Sequence, residues 1–263
     1  MMKKTGIVLL IMLMVVGSFA FAQGQKEAVG TEKDSYVFAG NAEWPPLEFV
    51  DEKGDVVGFE VDMLKEIEKI SGKKITYRNV AWDGIFAGLA NGAYDAVASG
   101  VSVTEERKAT MDFSTPFMTI TQAIIAPVDH PELKDLKSLA GKTVGTQMGT
   151  TGDLYLKDQD AADPTLNIDV KGYDSIGLAV EDLLNGNLDA VVCDSIIASD
   201  YVLSNPNYKG KMIVTGKASD IGEPIAIAIK KGDSALLKIV NDAIAQMQKD
   251  GTLDTLSKKW NIL

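Results

Sequence analysis

The sequence contains only one cysteine, Cys193, and one histidine, His130. One cysteine excludes an intramolecular disulfide framework. The histidine lies in the polar stretch DHPE and is predicted to be a solvated loop residue, which leaves no Ser-His-Asp or Cys-His set. No group of residues has the spacing of metal ligands, and the GTTG stretch at 149–152 lacks the lysine of a phosphate-binding loop. These absences predict no metal, no cofactor and no catalytic residue, and they favour recognition over catalysis.

Long apolar runs are also scarce, and the run at 7–16 follows Lys3 and Lys4 and precedes the small-residue exit that ends at Ala22. This order predicts a secretory signal peptide over 1–22, cleaved after Ala22. A membrane anchor is the alternative, but the run is short for a span. Residues 23–35 are predicted to be a flexible leader. Loss of the two lysines would take the net charge from −11 to −13, which disfavours nucleic acid as a partner and suits cationic small molecules.

The rest of the chain alternates strand and helix patterns. YVFAG at 36–40 and KITYRNV at 74–80 are typical of strands, and apolar residues from Val61 to Ile70 recur at helical spacing before Gly72. Strand, helix, strand in this order predicts a parallel α/β layer. The later elements predicted from the same patterns are strands at 142–146 and in EPIAIAIKKG at 223–232, a helix from Thr150 or Thr151, and two helices over 234–260 separated at Gly251.

A nine-residue phrase, L-x-N-G-x-x-D-A-V, occurs at 89–97 and again at 183–191. Each copy is typical of a helix that ends at Asn-Gly and leads into a short buried strand. Any junction of this kind can look similar, but the spacing favours one copy in each of two α/β units. Ser99-Gly100 and Cys193-Asp194 would then follow strands at the carboxyl edges of two sheets, where open α/β folds bind ligands. Two such edges form a cleft, although Cys193 itself is predicted to be buried.

A zwitterionic amino acid would find matching groups in such a cleft. Its carboxylate needs a two-pronged donor and backbone N–H groups at a helix N-terminus, which Arg107 and the Thr150-Thr151 turn offer. Its ammonium needs acceptors, which Asp194, Ser99 and Ser102 offer. The sequence therefore predicts the two charged ends of the ligand to be bound by different segments.

Aromatic walls for an apolar or cationic side chain are available in Trp44 and Trp82. Each candidate has a structural alternative at this point. Arg107 can be a solvated charge, Trp82 can be a core residue, and Asp194 can be the N-cap of the helix that follows it.

The motifs in chain order resemble the polar amino-acid family of periplasmic solute-binding proteins. They are E-W-P-P-L-E-F, G-F-E-V-D-M, W-D-G-I-F-A-G-L, S-V-T-E-E-R, F-S-T-P-F, G-T-T-G-D and the terminal D-G-T-L-x-x-L-x-x-K-W. The resemblance covers nearly all of the chain after the leader. It implies an α/β protein with the type II periplasmic-binding-protein fold, in which two α/β lobes are joined by a two-segment hinge. It also implies a binding protein of an ABC importer and not an enzyme.

The resemblance assigns the ligand's charged groups to particular residues. Carboxylate binding falls on Arg107, with backbone at Ser102 and Thr151. Ammonium binding falls on Asp194, with backbone at Ser99 or Gly100.

The ligand's side chain is assigned on the same resemblance to Glu43 beside Asn41, between the aromatic walls Trp44 and Trp82. A carboxylate with two indole faces suits a flat guanidinium or an alkyl-ammonium. We therefore expect a cationic L-amino acid, arginine before lysine or ornithine.

Two alternatives remain open for the function. Glutamine or another polar amino acid as ligand is the first, because Asn41, Gln147 and Thr150 can satisfy an amide. The second and more remote one is an enzyme similar to cyclohexadienyl dehydratases, in which Glu43 or Asp194 would be the acid.

The family architecture implies that the chain crosses between lobes twice, near 126–129 and near 219–223. The first lobe would comprise 36–126 and 221–263, and the second lobe 127–220. Ligand is expected to bind the first lobe and to favour closure of the second. The expected partners are a small L-amino acid and the membrane permease of an ABC importer, for a periplasmic monomer.

Overall fold

The computed structural model describes residues 32–262, so the predicted signal peptide and most of the predicted leader lie outside the described residues. The strands, in chain order, are β1 (Ser35–Gly40), β2 (Glu43–Trp44), β3 (Glu48–Val50), β4 (Val56–Val57), β5 (Lys74–Asn79), β6 (Ala96–Val97), β7 (Met111–Phe113), β8 (Met118–Pro127), β9 (Thr143–Gln147), β10 (Asp169–Tyr173), β11 (Ala190–Asp194), β12 (Met212–Ile225) and β13 (Ala228–Lys230). The α-helices are α1 (Phe59–Ser71), α2 (Ile85–Asn91), α3 (Glu105–Thr110), α4 (Thr151–Ala162), α5 (Ile176–Leu184), α6 (Ser195–Leu203), α7 (Ser234–Asp250) and α8 (Thr252–Lys259), and a 3-10 helix covers Leu136–Leu139.

Two five-stranded sheets define two lobes. The sheet of the first lobe has the order β5-β1-β6-β13-β7, and that of the second lobe has the order β10-β9-β11-β8-β12. In the first sheet β1 is parallel to β5 and β6, and in the second β9 is parallel to β10 and β11. A three-stranded sheet, β2-β3-β4, lies in the first lobe. The predicted parallel α/β organisation in two units is confirmed.

Most of the predicted elements are present within a residue or two. The helix predicted before Gly72 is α1, and Gly72 ends it in the left-handed region at φ 68°. The two helices predicted around Gly251 are α7 and α8, and the helix predicted near Thr150 is α4, with Thr150 as its N-cap. The stretch EWPPLEF contains β2 and the first two residues of β3.

One predicted strand is wrong. The run EPIAIAIKKG does not form a single strand, because its first residues complete β12 in the second sheet and its later residues form β13 in the first. Apolar periodicity alone cannot show where a strand changes sheets. This run is one of the two connections between the lobes.

Strand pairing also bears on the predicted lobe boundaries. The whole of β8 belongs to the second sheet, so the first connection lies between Phe113 and Met118 and not at 126–129. The second connection follows Ile225, just beyond the predicted 219–223. The two connections run side by side: the N–H of Phe117 donates to the carbonyl of Ile225 at 3.0 Å. The division into lobes at single residues otherwise stays a prediction.

The repeated phrase has the same local structure in both lobes. In the first copy Asp95 accepts a hydrogen bond from the backbone N–H of Val37 at 2.8 Å, and in the second Asp189 accepts from the N–H of Thr143 at 2.8 Å. Each aspartate thereby ties the end of its helix-to-strand turn to the neighbouring parallel strand. The prediction of one copy in each α/β unit is confirmed.

The remaining structural predictions concern single residues. Cys193 is 3% exposed within the core, as predicted, and burial raises the pKa of its thiol. His130 is half exposed and pairs with Glu132, as predicted for a loop residue. Within residues 32–262, no helix combines the length and the apolar character needed to cross a bilayer.

Candidate functional site

A cavity lies where the carboxyl ends of parallel strands from the two lobes meet. β1 and β6 end beside it in the first lobe, and β9 and β11 end beside it in the second. About 310 Å³ of space not filled by protein atoms lies between these strand ends, including space open to solvent. Its lining consists of Asn41, Trp44, Trp82, Ser99, Gly100, Ser102, Arg107, Gln147, Thr150, Thr151 and Asp194.

Glu43 is the one predicted site residue outside this lining. It is exposed at the start of β2, while its neighbour Trp44 is buried and faces the cavity. Successive residues of a strand point to opposite sides, so a site that includes Trp44 excludes Glu43. The expectation that Glu43 reads the ligand's side chain is therefore corrected.

Arg107 reaches the cavity from the short helix α3. The hydroxyl of Thr104 caps this helix by accepting from the N–H of Arg107 at 3.1 Å. The guanidinium donates to the carbonyl of Ser102 at 3.0 Å, and its carbon lies 4.8 Å from the ring centre of Phe86 and 5.8 Å from that of Trp82. Burial lowers the pKa of Arg107 from its ordinary value. Aromatic rings hold the cation, and its planar fork suits a carboxylate.

The loop before α4 completes this end of the cavity from the second lobe. Asp153 accepts from the hydroxyl of Thr146 at 2.8 Å and from the N–H of Gly149 at 3.0 Å, which fixes the loop. The hydroxyl of Thr151 lies 3.3 Å from that of Ser102 across the cleft. The first N–H groups of a helix of this length are donors for an anion. Arginine and helix N-terminus thus face the same end, as the sequence predicts.

Asp194 is buried at the end of β11. Its Oδ1 accepts from Nε2 of Gln122 at 2.9 Å, and its Oδ2 accepts from the indole N–H of Trp44 at 3.3 Å. It is the N-cap of α6 by position, but its side chain makes no capping hydrogen bond. The capping alternative therefore does not describe this carboxylate. Burial raises the pKa of Asp194 to about 7, and the charge of Glu223 acts in the same direction.

Ser99 and Gly100 form the facing surface in the first lobe. The hydroxyl of Ser99 donates to Oε1 of Glu48 at 2.8 Å, and the N–H of Gly100 donates to Oε1 of Glu60 at 3.1 Å. Gly100 has φ 56°, and a Cβ there would meet the indole of Trp44 at 3.1 Å. Only glycine fits this turn without displacing the indole.

A neutral polar end completes the cavity. Nε2 of Gln147 donates to Oδ1 of Asn41 at 3.4 Å and to the carbonyl of Asp174 at 3.0 Å. The hydroxyl of Thr150 donates to the carbonyl of Gln147 at 2.8 Å. Trp82 packs edge to face on Phe86, with ring centres 5.2 Å apart, so it is both a wall of the cavity and part of a local cluster.

Several side chains that contact the lining were not predicted as site residues, among them Glu48, Glu60, Phe86 and Gln122, and Glu223 lies behind Gln122. Gln122 is 0% exposed, and its Nε2 lies within 3.2 Å of acceptors on Thr151, Asp194 and Glu223. A polar residue inside the apolar strand TITQAIIAP was the one signal in the sequence for it. No group of metal-ligating side chains occurs in the part of the chain that the structure describes.

Comparisons with known proteins agree with this geometry. The profile of the family "Bacterial extracellular solute-binding proteins, family 3" matches residues 36–262. A "Probable histidine-binding protein" of Neisseria gonorrhoeae is 37% identical over 227 residues, covering 86% of this chain and 82% of the relative. The "ABC transporter arginine-binding protein 1" of Escherichia coli K12 is 31% identical over 254 residues, covering 95% of this chain and 98% of the relative.

Solved structures show the same fold. An ancestral arginine-binding protein bound to arginine has a TM-score of 0.81 and 37% identity, with 88% of this chain and 99% of that chain covered. An ancestral arginine-binding protein bound to glutamine also has a TM-score of 0.81 and 37% identity, with 89% of this chain and 100% of that chain covered. The chain belongs to the bacterial extracellular solute-binding proteins, family 3. The family and the relatives named here are solute-binding proteins, which favours a binding protein over the dehydratase alternative.

Proposed function

We propose that this protein is the substrate-binding component of an ABC uptake system for a polar L-amino acid. The observation that carries the proposal is the arrangement of Arg107 from the first lobe and Asp194 from the second around one small cavity. A guanidinium and a carboxylate on opposite lobes match the carboxylate and ammonium of a zwitterion. Ligand bound to both would favour the closed arrangement, since it joins the lobes.

The ligand we place first is arginine. The neutral end of the cavity offers amide oxygens of Asn41 and Gln147 beside the aromatic face of Trp82. A planar, weakly hydrated guanidinium suits amide acceptors and an aromatic face, whereas the compact ammonium of lysine or ornithine calls for a carboxylate. With Glu43 outside the cavity, this end has none. We therefore expect arginine to bind more tightly than lysine or ornithine.

Glutamine is the second candidate. The observation in its favour is the same neutral end, where the side-chain amides of Asn41 and Gln147 can pair with a ligand amide. Glutamine would use the same contacts for its carboxylate and ammonium. Its discrimination from arginine rests on the ligand's side chain alone.

A thermal-shift panel of L-arginine, L-lysine, L-ornithine, L-histidine and L-glutamine tests the proposal. Ligand at about 100 times Kd adds about 2.7 kcal/mol to the folded state, which raises the Tm by roughly 5–10 °C for a chain of this size. A rise with arginine above all others supports the assignment. A rise with glutamine alone keeps amino-acid binding and discards arginine, and no rise with any of the five contradicts the proposed function.

A further inference from the structure

Two carboxyl groups lie directly behind the cavity without lining it. Glu48 in β3 and Glu60 in the first turn of α1, here called the floor pair, are each 0% exposed. The described charges that act on Glu48 are acidic, those of Glu60 and Asp194, and no basic residue offsets them. Buried carboxyl groups without a cation are costly. The binding of a ligand by Arg107 and Asp194 does not explain why two carboxyl groups are buried at this position.

Gly58 allows the close approach that brings the floor pair together. It precedes α1 with φ 139°, and a Cβ there would lie 2.1 Å from the carbonyl oxygen of Leu47. The N–H of Glu60 donates to that same carbonyl at 2.9 Å. The start of α1 is thereby held against the residue before Glu48.

The hydrogen bonds of Ser99 fix the direction of its hydroxyl. A serine hydroxyl has one hydrogen and two lone pairs. The hydrogen goes to Glu48 at 2.8 Å, and one lone pair accepts from the backbone N–H of Asn41 at 2.9 Å. One lone pair remains. Ser99, which lines the cavity, is thus left with an acceptor and no donor.

Glu60 has the same effect on Gly100, the residue after Ser99: it accepts the hydrogen bond of the donor there. The N–H of Gly100 would be a donor at the cavity surface, and Oε1 of Glu60 accepts it at 3.1 Å. Both donors at this corner are therefore directed to the floor pair. An ammonium is a donor without acceptor capacity, so it pairs with such a corner, and a donor left there would repel it.

We propose that Glu48 and Glu60 are positioning residues that make the Ser99-Gly100 corner acceptor-only and so select ligands that carry an α-ammonium. This inference rests on the proposed function and assigns specificity to residues that the ligand does not touch. Asp194 supplies the charge for the ammonium from the second lobe. In the first lobe, the floor pair determines that the facing wall, formed by Ser99 and Gly100, offers acceptors only.

The outer oxygens of the floor pair agree with this arrangement. Oε2 of Glu48, Oε2 of Glu60 and the hydroxyl of Tyr77 are buried, and none has a partner within the described residues. Burial raises the pKa of both carboxyl groups, that of Glu60 to about 8. Because both Oε1 atoms accept hydrogen bonds, a proton taken up by either carboxyl group would bind its outer oxygen. Protonation of the pair then leaves the acceptors for Ser99 and Gly100 in place.

The test compares ligands in pairs whose members differ only in the α-ammonium. The first pair is L-arginine and 5-guanidinopentanoate, and the second pair is L-glutamine and 4-carbamoylbutanoate. Glu48→Met keeps the volume but releases the hydrogen of Ser99 toward the cavity. We expect it to weaken L-arginine about tenfold and to leave 5-guanidinopentanoate unchanged in calorimetric titrations. Glu48→Gln is the matched control, since its amide oxygen can accept from Ser99 and should restore binding to within about threefold.

Equal loss for both members of a pair, or no loss, would overturn the inference. If Glu48→Met fails to fold, Ser99→Ala tests the same acceptor, and a loss that is not selective for the ammonium-bearing ligand overturns it equally. A wild-type protein that binds neither L-arginine nor L-glutamine removes the proposed function together with this inference. Binding by wild type with unselective variants removes this inference alone.

Discussion

The two lobes begin their share of the site with the same nine-residue phrase, but they place their carboxyl groups at different depths from the cavity. In the second lobe the strand β11 places a carboxylate, Asp194, directly in the cavity. In the first lobe the residues after β6 are Ser99 and Gly100, and the carboxyl groups of the floor pair stand one layer behind them. The repeat thus builds the two strands that end beside the cavity, and the residues after each strand determine which groups each lobe places there.

Among the variants considered, Asp194→Asn should weaken ligand binding most strongly. The side chain would keep its size while losing its charge, and removal of one partner of a buried charge pair costs about 2–5 kcal/mol. We expect L-arginine to bind about 100-fold more weakly or worse. Calorimetric titration measures the loss, and a variant within about threefold of wild type would contradict the assignment.

The same variant should be more stable without ligand. Because the pKa of Asp194 is raised to about 7 in the fold, its ionisation disfavours the folded state as the pH rises from about 4 to 7. Asparagine removes that penalty, so the Tm of ligand-free protein should rise at pH 7 and above. A rise of roughly 2–4 °C is expected for each kcal/mol gained.

Arg107→Lys tests the opposite end of the cavity. Lysine keeps the charge but loses the two-pronged geometry, so we expect L-arginine to bind about 10–100-fold more weakly. The chain has one other arginine, Arg78, whose guanidinium donates to the carbonyl of Ala93 at 2.9 Å. Arg78→Lys is the matched control and should leave the Kd unchanged. Equal effects of the two variants would mean that Arg107 has no direct part in binding.

Because the carboxylate of Asp194 lines the cavity, the affinity for the ligand should depend on pH. An ammonium beside Asp194 lowers its pKa in the complex, so binding releases a proton when the pH lies near or below the unliganded value of about 7. Affinity should be highest above pH 7 and fall by up to about tenfold for each pH unit below it. Titrations from pH 8 to 5.5 in buffers of different ionisation enthalpy measure both quantities. Asp194→Asn should give a flat profile, and a flat wild-type profile would refute the linkage.

Substitutions in the repeated nine-residue phrase should have the smallest effects on ligand binding. Asp95→Ala and Asp189→Ala each remove the acceptor for a backbone N–H, which costs about 1–3 kcal/mol of the free energy of unfolding. Asp95 is the less exposed of the two, 17% against 39%, so its loss should be the larger. Denaturant unfolding measures both. A change in the Kd for L-arginine with either variant would show that the repeat contributes to binding and not only to the fold.

The sequence predicted the fold and the position of the site better than the chemistry behind it. Strand and helix patterns, the repeat and the motif order placed all but one of the predicted site residues on one cavity. Glu43 was misplaced because Trp44, next to it in a strand, faces the cavity. Glu48 and Glu60 were missed because an acidic residue within PPLEF and another at a helix start look solvated until tertiary packing buries them. The run EPIAIAIKKG was misread because the chain changes sheets inside an unbroken apolar pattern.

Calorimetric titration with L-arginine against agmatine, and with L-glutamine against 4-aminobutanamide, tests the central claim most directly. Each second compound lacks only the α-carboxylate that we assign to Arg107 and the N-terminus of α4. We predict that one of the two amino acids binds with a Kd on the order of 1 μM or lower, and that its decarboxylated counterpart binds about 100-fold more weakly or worse. A decarboxylated compound that binds as tightly as its amino acid would contradict the account.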